Sequence, residues 1–244
     1  MLQLHQVTKQ FSHHHYPILD ALSATFLPGE FCIILGNNGS GKSTLIKTIS
    51  GECRVDSGKV LFNKTPIIKK DIATVAQETH LGTVLELSVF ENMLLGFLKK
   101  KKCRFLPYRR YRNLVTDALM RVDSTLVSSL DKPLSHLSGG QRQLIATIAA
   151  LVSNPKVLLL DEHTSALDPT MRQHVMSYTV STIKKEKILA LMVTHHLRDA
   201  LRYGNRLIAL RQGKIVLDVS GQDKLALNEQ ALQSIYDERG GILC

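Results

Sequence analysis

A glycine-rich run near the amino end suggests the first chemistry. Residues 36–44 read GNNGSGKST and fit the pattern G-x-x-x-x-G-K-S/T in full. In that pattern the glycines let backbone N–H groups curl around a phosphate, while the lysine, here Lys42, reaches the β- and γ-phosphates of a nucleotide. The next hydroxyl, on Ser43, is placed to ligate Mg²⁺. We therefore predict a nucleotide site formed by Gly36, Asn37, Asn38, Gly39, Ser40, Gly41, Lys42, Ser43 and Thr44.

Two adjacent carboxylates, Asp161 and Glu162, follow the apolar run 157–160. Carboxylates at the end of a buried strand are costly unless cations or reacting water meet them. Asp161 can hold Mg²⁺ directly or through water, and Glu162 can polarise the water that attacks a γ-phosphate. The alternative is a strand that ends at a solvated acidic turn. The phosphate loop in the same chain favours the catalytic interpretation.

A third motif, LSGGQ at residues 137–141, precedes a helix with apolar residues at three- and four-residue spacing. Ser138 can cap that helix, and two glycines leave its first amides bare, which suits an anion. An ordinary capped helix is the alternative when the run is taken alone. The motif predicts a second anion site at Ser138, Gly139, Gly140 and Gln141.

The elements that must position these groups follow from hydrophobic periodicity. Residues 31–35 form a short continuous apolar run that stops at Gly36, as expected for a buried parallel strand that delivers a glycine-rich loop. Parallel-strand character returns at 157–160 and at 188–193, separated by a helix-like stretch that includes 171–183. This alternation predicts an α/β arrangement.

Antiparallel strands are predicted towards both ends of the chain. Residues 2–7 alternate between apolar and polar, and 18–26 resembles a second strand; 206–210 and 214–219 form a plausible hairpin. Between about residues 86 and 150 the pattern turns helical. We predict an α/β fold with a mixed or parallel sheet, an amino-terminal antiparallel β layer and an inserted α-helical subdomain.

Composition narrows the class of protein. Of 244 residues, 44% are hydrophobic and 21% charged, which is typical of a globular protein rather than a disordered or fibrous one. No apolar run approaches the roughly 20 residues that cross a bilayer, and the amino end lacks the basic start and apolar core of a secretory signal. The four cysteines have no C-x-x-C spacing, which favours reduced thiols. We expect the chain to lie in the cytoplasm.

The formal net charge of +10 suits an anionic partner such as a nucleotide, a nucleic acid or an acidic membrane surface. The densest basic run extends from Lys99 to Arg112 and includes interleaved aromatic residues. We interpret it as a solvated helix end or loop in preference to a nucleic-acid or lipid patch.

The phosphate loop, the LSGGQ run and the carboxylate pair, in this order, resemble the ATP-binding subunits of ABC transporters over nearly the whole chain. The resemblance implies a P-loop NTPase core, ATP and Mg²⁺ as cofactors, and ATP hydrolysis coupled to transport. In that family the signature of one subunit closes over the nucleotide held by the other. Ser138, Gly139 and Gly140 are therefore expected to act in trans, in a homodimer.

Three further residues are assigned by the resemblance. Gln77, after the strand-like stretch 72–76, matches the glutamine that touches Mg²⁺ and water and senses the membrane partner. His195 matches the switch histidine, which contacts the γ-phosphate and orients the general base. Phe11 falls where the family places an aromatic ring under the adenine, with Tyr16 as the competitor. The expected catalytic set is Glu162, His195, Gln77 and Lys42, and the expected Mg²⁺ ligands are Ser43, Gln77 and Asp161.

The resemblance and the helical pattern together predict how the domain is organised. We expect one ABC ATPase domain over residues 1–244. The ATP-binding core, with the antiparallel layer, would comprise 1–85 and 151–244, and the helical signature subdomain 86–150.

Two departures from the commonest family pattern point to a subgroup: Asn37-Asn38 in the phosphate loop and His163, where most members carry proline. In both departures the chain resembles the ATPases of tryptophan- and tyrosine-type uptake systems. This implies a permease and a solute-binding protein as partners, a peripheral location on the cytoplasmic face of the membrane, and no nucleic-acid partner. The alternative is a soluble ABC-superfamily ATPase that acts on nucleic acid or the ribosome.

Overall fold

The computed structural model describes residues 1–12, 15–66, 68, 71–76, 82–99, 107–164 and 167–237, with the side chains of 235–237 left out. The chain divides into two compact units. The first comprises Met1–Ile67 and Leu191–Cys244, and the second comprises Ile68–Ala190.

The first unit contains an antiparallel sheet with the strand order β2-β1-β4-β5. Its strands are β1 (Leu2–Lys9), β2 (Leu19–Phe26), β4 (Ser57–Phe62) and β5 (Thr65–Pro66). Leu4 pairs with Ala24 on one side and with Val60 on the other, so β1 lies in the middle. Leu2 and Leu4 are buried, as the period-2 pattern predicts. Val7, three residues later, is also buried because the strand has an irregularity between Leu4 and Val7. The predicted amino-terminal antiparallel layer is confirmed.

A second group of strands in the first unit carries the glycine-rich loop. Strand β3 (Phe31–Leu35) is buried along its whole length and pairs parallel with β9 (Arg206–Arg211). Its other neighbour is β8 (Leu189–Thr194), of which Leu191–Thr194 belong to this unit. Strand β10 (Lys214–Ser220) pairs antiparallel with β9 and forms the predicted hairpin. The helices of this unit are α1 (Lys42–Ser50), α6 (Leu197–Arg202), α7 (Gly221–Leu225) and α8 (Glu229–Asp237).

The second unit contains two parallel strands, β6 (Ile72–Val75) and β7 (Val157–Asp161), with Val75 paired to Leu160. Among the described residues of this unit there are four α-helices: α2 (Val89–Leu98), α3 (Tyr108–Met120), α4 (Gly139–Val152) and α5 (Pro169–Glu186). Short 3₁₀ turns at Ser124–Ser129 and Leu134–His136 connect α3 to α4. The α/β fold class is thus confirmed.

Helices α2, α3 and α4 share one apolar core, because each presents apolar residues at three- and four-residue spacing to the others. Met93, Val115 and Leu144 are fully buried there. Both α2 and α4 begin with a capping box, in which a serine hydroxyl and a side chain three residues later bond each other's backbone N–H. These caps fix where α2 and α4 begin. None of the described helices is long and apolar enough to cross a membrane.

Candidate active site

The glycine-rich loop of the first unit joins the buried strand β3 to α1. Asn37, Asn38 and Gly39 are exposed at its tip, and the Ser40 N–H donates to the Asn37 carbonyl oxygen at 3.1 Å to close a turn. Helix α1 has no side-chain cap at its amino end. Its first N–H groups are therefore directed at the place where an anion would sit.

Two glycines of this loop are required by close packing. Gly41 adopts φ 102, and a Cβ on it would lie 2.6 Å from the Ile18 carbonyl oxygen. A Cβ on Gly36 would lie 2.7 Å from the carbonyl oxygen of Leu210. The β9–β10 turn holds the loop in place, because the Gly213 N–H donates to the Ser40 carbonyl oxygen at 3.1 Å. The backbone around the phosphate loop therefore leaves no room for side chains at Gly36 and Gly41.

The side chains of the loop fit a nucleoside triphosphate. Lys42 is only 6% exposed, and its ammonium donates to the Asn37 carbonyl oxygen at 2.9 Å. Within the described residues the buried Ser40 hydroxyl has no hydrogen-bond partner. Ser43, by contrast, is exposed. A bare helix terminus, a held ammonium and an unsatisfied hydroxyl in one loop suit phosphate oxygens.

His195 directly follows β8, the strand next to β3, and is exposed. Its ring lies 4.1 Å from that of His196, centroid to centroid. The backbone N–H of His196 donates to the Thr194 hydroxyl at 3.0 Å, which fixes the turn into α6. His195 therefore stands at the end of a buried strand, as the sequence predicts.

The carboxylate pair lies in the second unit, at the end of β7. Because Val75 pairs with Leu160 in parallel, Ala76 and Asp161 leave the two strands side by side. Gln77, the residue after Ala76, lies outside the described residues. Glu162 adopts φ 46, a left-handed conformation that is strained for a residue with a side chain. Such strain is concentrated at functional sites.

His163 follows Glu162 and is 1% exposed. Neither ring nitrogen has a hydrogen-bond partner among the described residues, and burial lowers the pKa of His163 to about 3. The ring is therefore neutral. A proline at this position would favour extended geometry in the residue before it, whereas Glu162 is left-handed.

The LSGGQ motif forms the amino end of α4 in the second unit. The Gln141 N–H donates to the Ser138 hydroxyl at 3.2 Å, and the Ser138 N–H donates to the Gln141 side-chain oxygen at 3.0 Å. Gly139, the first helical residue, is exposed, and a Cβ on it would meet no described atom within 4 Å. Packing within this chain therefore does not require a glycine there.

The two aromatic candidates for a base site differ in their surroundings. Phe11 is 39% exposed, and the Lys9 ammonium lies 5.2 Å from the centre of its ring. Tyr16 is 81% exposed and lines a cavity of about 850 Å³ together with Ile18 and Gly39. Phe11 is not among the described residues of that lining.

A magnesium ion fits the donor chemistry. The described residues contain no group of three or more histidine, cysteine or acidic side chains able to hold a metal. Mg²⁺ is usually held by one or two protein oxygens together with substrate phosphates, and the Ser43 hydroxyl and Asp161 carboxylate are of that type. The ion would be bound with a nucleotide rather than by a protein cage.

Two buried amides of the second unit were not predicted from the sequence. Gln143 is 2% exposed on α4, and Asn92 is 3% exposed on α2. The signal that could have found Gln143 is its spacing to Thr147, because both polar residues lie on the apolar face of α4. Asn92 carries a similar signal, because it lies three residues after Val89 and four before Gly96 on the buried face of α2.

The fold and the phosphate loop define a P-loop nucleotide-binding α/β protein. Residues 19–165 match the ABC transporter family. A tyrosine transport ATP-binding protein of Clostridioides difficile (strain R20291) is 38% identical over 97% of this chain and 99% of its own length. The chain therefore belongs to the ABC transporter family, as one of its ATP-binding cassette ATPases.

Other relatives and structures agree with this assignment. A spermidine/putrescine import ATP-binding protein of Aggregatibacter actinomycetemcomitans is 33% identical over 91% of this chain, which spans 59% of that relative's length. A dimeric bacterial ABC transporter cassette superposes with a TM-score of 0.79 at 25% identity, covering 90% of this chain and 98% of that one. A dimeric cassette bound to ADP and phosphate gives 0.78, with the same identity and coverage.

Proposed function

We propose that this chain is the ATP-hydrolysing subunit of a membrane transporter that imports a small solute, such as an amino acid. The observation that carries the proposal is Gly139, which is exposed at the first position of α4 and makes no packing demand for a glycine. Glycine is a poor helix former, so its presence there is explained by another molecule that approaches the backbone closely. The nucleotide of a second copy is that molecule.

The phosphate loop supplies the binding half of the site. Backbone N–H groups of residues 36–44 surround the phosphates, and Lys42 supplies positive charge to the β- and γ-phosphates. Ser40 gains an acceptor for its unsatisfied hydroxyl. Phe11 stacks under the adenine, with Tyr16 as the alternative.

Hydrolysis depends on the residues at the strand ends. Mg²⁺ would be held by Ser43, Gln77 and Asp161, and when bound it would neutralise charge on the phosphates. Glu162, at the end of β7, accepts a proton from the attacking water. His195 contacts the γ-phosphate and orients this base.

The other half of each site comes from a partner. Two copies sandwich two nucleotides, and Ser138, Gly139, Gly140 and Gln141 of one copy cover the phosphates held by the other. The capping box supports this arrangement, because it uses the Ser138 and Gln141 side chains to hold the helix end while leaving Gly139 exposed. A single copy hydrolyses ATP poorly.

A groove in the second unit suits the membrane permease. The cavity, of about 490 Å³, is lined by polar and apolar residues of β6, α2, α4 and the segment 82–84, including Ala76, Leu95 and Ala146. Leu95 is 46% exposed, and Lys99 lies at one end of the groove. A helix of the permease would dock there, and ATP-driven closure would act on it. The division into a core (1–85 and 151–244) and a helical subdomain (86–150) belongs to this proposal.

Import of an amino acid rests on the tyrosine transport relative, which matches almost the whole of both chains. A solute-binding protein delivers the cargo in this scheme, and the ATPase works at the cytoplasmic face of the membrane. The nucleic-acid alternative would depend on the basic run. Of that run, Lys99, Arg109 and Arg110 are exposed, and Arg112 bonds Asp131 at 2.8 Å.

Substitution Glu162→Gln tests the proposal. We expect the variant to retain ATP binding and form an ATP-dependent dimer while phosphate release falls at least about 100-fold, because the general base is lost. Glu229→Gln is the matched control, since within the described part of the chain Glu229 forms a surface ion pair with Arg198 at 2.9 Å. Parental hydrolysis by Glu162→Gln, without an ATP-dependent dimer, would show that the base is assigned wrongly. Tight, salt-dependent binding of RNA or DNA would favour the alternative.

A further inference from the structure

The amide of Gln143 connects α4 to the end of β6. Its side-chain N–H donates to the carbonyl oxygen of Ala76 at 3.0 Å, and the residue is 2% exposed. Strand β6 ends at Val75, so the Ala76 carbonyl lies just beyond the strand. A partly buried carbonyl oxygen requires a hydrogen-bond donor. Gln143 supplies that donor from two residues after Gln141.

A second buried amide holds the chain where it reaches α2. The Asn92 side-chain oxygen accepts from the Val84 N–H at 2.8 Å, and its NH₂ group donates to the Val84 carbonyl oxygen at 2.9 Å and that of Leu87 at 3.1 Å. All these bonds lie within the second unit. An amide that satisfies both backbone groups of one residue fixes its position closely.

We propose that Gln143 is a positioning residue for hydrolysis, and that with Asn92 it fixes the two places, Ala76 and Val84, between which Gln77 lies in the sequence. The inference rests on the proposed function, which assigns Mg²⁺ and water contacts to Gln77. Gln143 does not touch the nucleotide. It sets the point at which the chain leaves β6, beside the point at which Asp161 ends β7.

Ala76 and Val84, the two positions fixed by these amides, both line the groove proposed for the permease. Asn92 is in its lining as well. A partner seated there contacts the backbone that Gln143 holds, and Gln143 lies on the same helix as the LSGGQ motif. The bond therefore joins the docking groove, the start of the Gln77 segment and the signature helix within one unit.

The test compares Gln143→Leu with Thr147→Val in the full chain. Thr147 is fully buried on the same helix, one turn later, and its hydroxyl donates only to the Gln143 carbonyl oxygen at 2.8 Å. Each substitution removes one buried polar group from α4, but only Gln143→Leu releases Ala76. Gln143→Met repeats the test with a more flexible apolar side chain in case leucine prevents folding.

We expect Gln143→Leu to lower kcat about tenfold or more, because small displacements of catalytic groups cost large factors in rate. The Mg²⁺ concentration for half-maximal activity should rise, while ATP affinity measured in EDTA stays within about twofold of wild type. Thr147→Val should keep all three values within about twofold of wild type. In a Gln77→Ala background, Gln143→Leu should add little further loss, since both changes remove one effect.

Two outcomes would overturn the inference alone. One is a folded Gln143→Leu variant whose kcat and Mg²⁺ dependence match those of Thr147→Val. The other is full additivity of Gln143→Leu with Gln77→Ala. A folded wild-type chain that hydrolyses no ATP would overturn the proposed function, and this inference with it.

Discussion

The ammonium of Lys42 donates a hydrogen bond to the carbonyl oxygen of Asn37, 2.9 Å away, across the loop between β3 and α1. The bond holds a buried cation at the mouth of the phosphate cradle. A charge kept in place in this way needs little rearrangement when phosphate arrives.

Substitution Lys42→Ala should therefore lower ATP hydrolysis at least about 100-fold, because the charge facing the β- and γ-phosphates is lost. Phosphate release by the purified chain measures the effect. Lys47→Ala, an exposed lysine in the last turn of the same helix, serves as the control and should leave the rate within about twofold. Equal rates for the two variants would contradict the assigned role of Lys42.

The signature motif offers a matched pair of helix caps. Ser138 caps α4 and Ser88 caps α2, each in a capping box. Ser138→Ala and Ser88→Ala should each lower the free energy of unfolding by about 1 kcal/mol, measured in urea. Only Ser138→Ala should also abolish most ATP hydrolysis, because its hydroxyl is expected to face the partner's nucleotide. A similar loss of activity in Ser88→Ala would reduce the signature serine to a structural cap.

The site that binds the adenine can be located by removing the aromatic rings of Phe11 and Tyr16 one at a time. We expect Phe11→Ala to raise the KM for ATP about tenfold, since stacking of a base on an aromatic ring contributes roughly 1–3 kcal/mol. Tyr16→Ala should change KM less than about twofold. A larger rise in KM for Tyr16→Ala than for Phe11→Ala would place the adenine in the cavity that Tyr16 shares with Gly39. Steady-state kinetics with both variants distinguishes the two.

Buried His163 makes stability depend on pH. Its pKa is lowered from 6.5 to about 3 by burial, so between these values the unfolded chain binds a proton that the folded chain does not. The free energy of unfolding should therefore fall as pH drops below 6.5. In His163→Met this fall should be shallower.

Urea unfolding at about pH 7 and about pH 5, without nucleotide or Mg²⁺, measures the difference. His136→Met, at an exposed position, is the control and should follow the wild type. An unchanged pH dependence in His163→Met would mean that the histidine is not the group responsible.

The buried strands could be predicted from sequence because both of their faces are covered. Residues 31–35 and 157–160 are continuous apolar runs, and they became β3 and most of β7. The start of α1 at Lys42 and that of α4 after Ser138 were also predicted, since glycine and serine signals mark both. The role of each site residue stays a prediction.

Other features could not be predicted, for identifiable reasons. Strand β4 reads SGKVLF, and its exposed first half lacks both alternation and a continuous apolar run. Gln143 and Asn92 act through bonds to Ala76 and Val84, and the spacing of polar residues along a helix does not specify which distant carbonyl they meet. The partners of buried amides depend on packing between elements.

Strand β6 pairs with β7 and ends the strand order in the part of the chain that the structure describes. Its residues also line the groove proposed for the permease. An edge strand becomes a template for pairing with other chains when it is uncovered, and the residues of β6 are buried or half-buried within the chain itself. The purified ATPase should therefore stay dispersed without a membrane partner, whereas a substitution that opens the groove should drive it into aggregates.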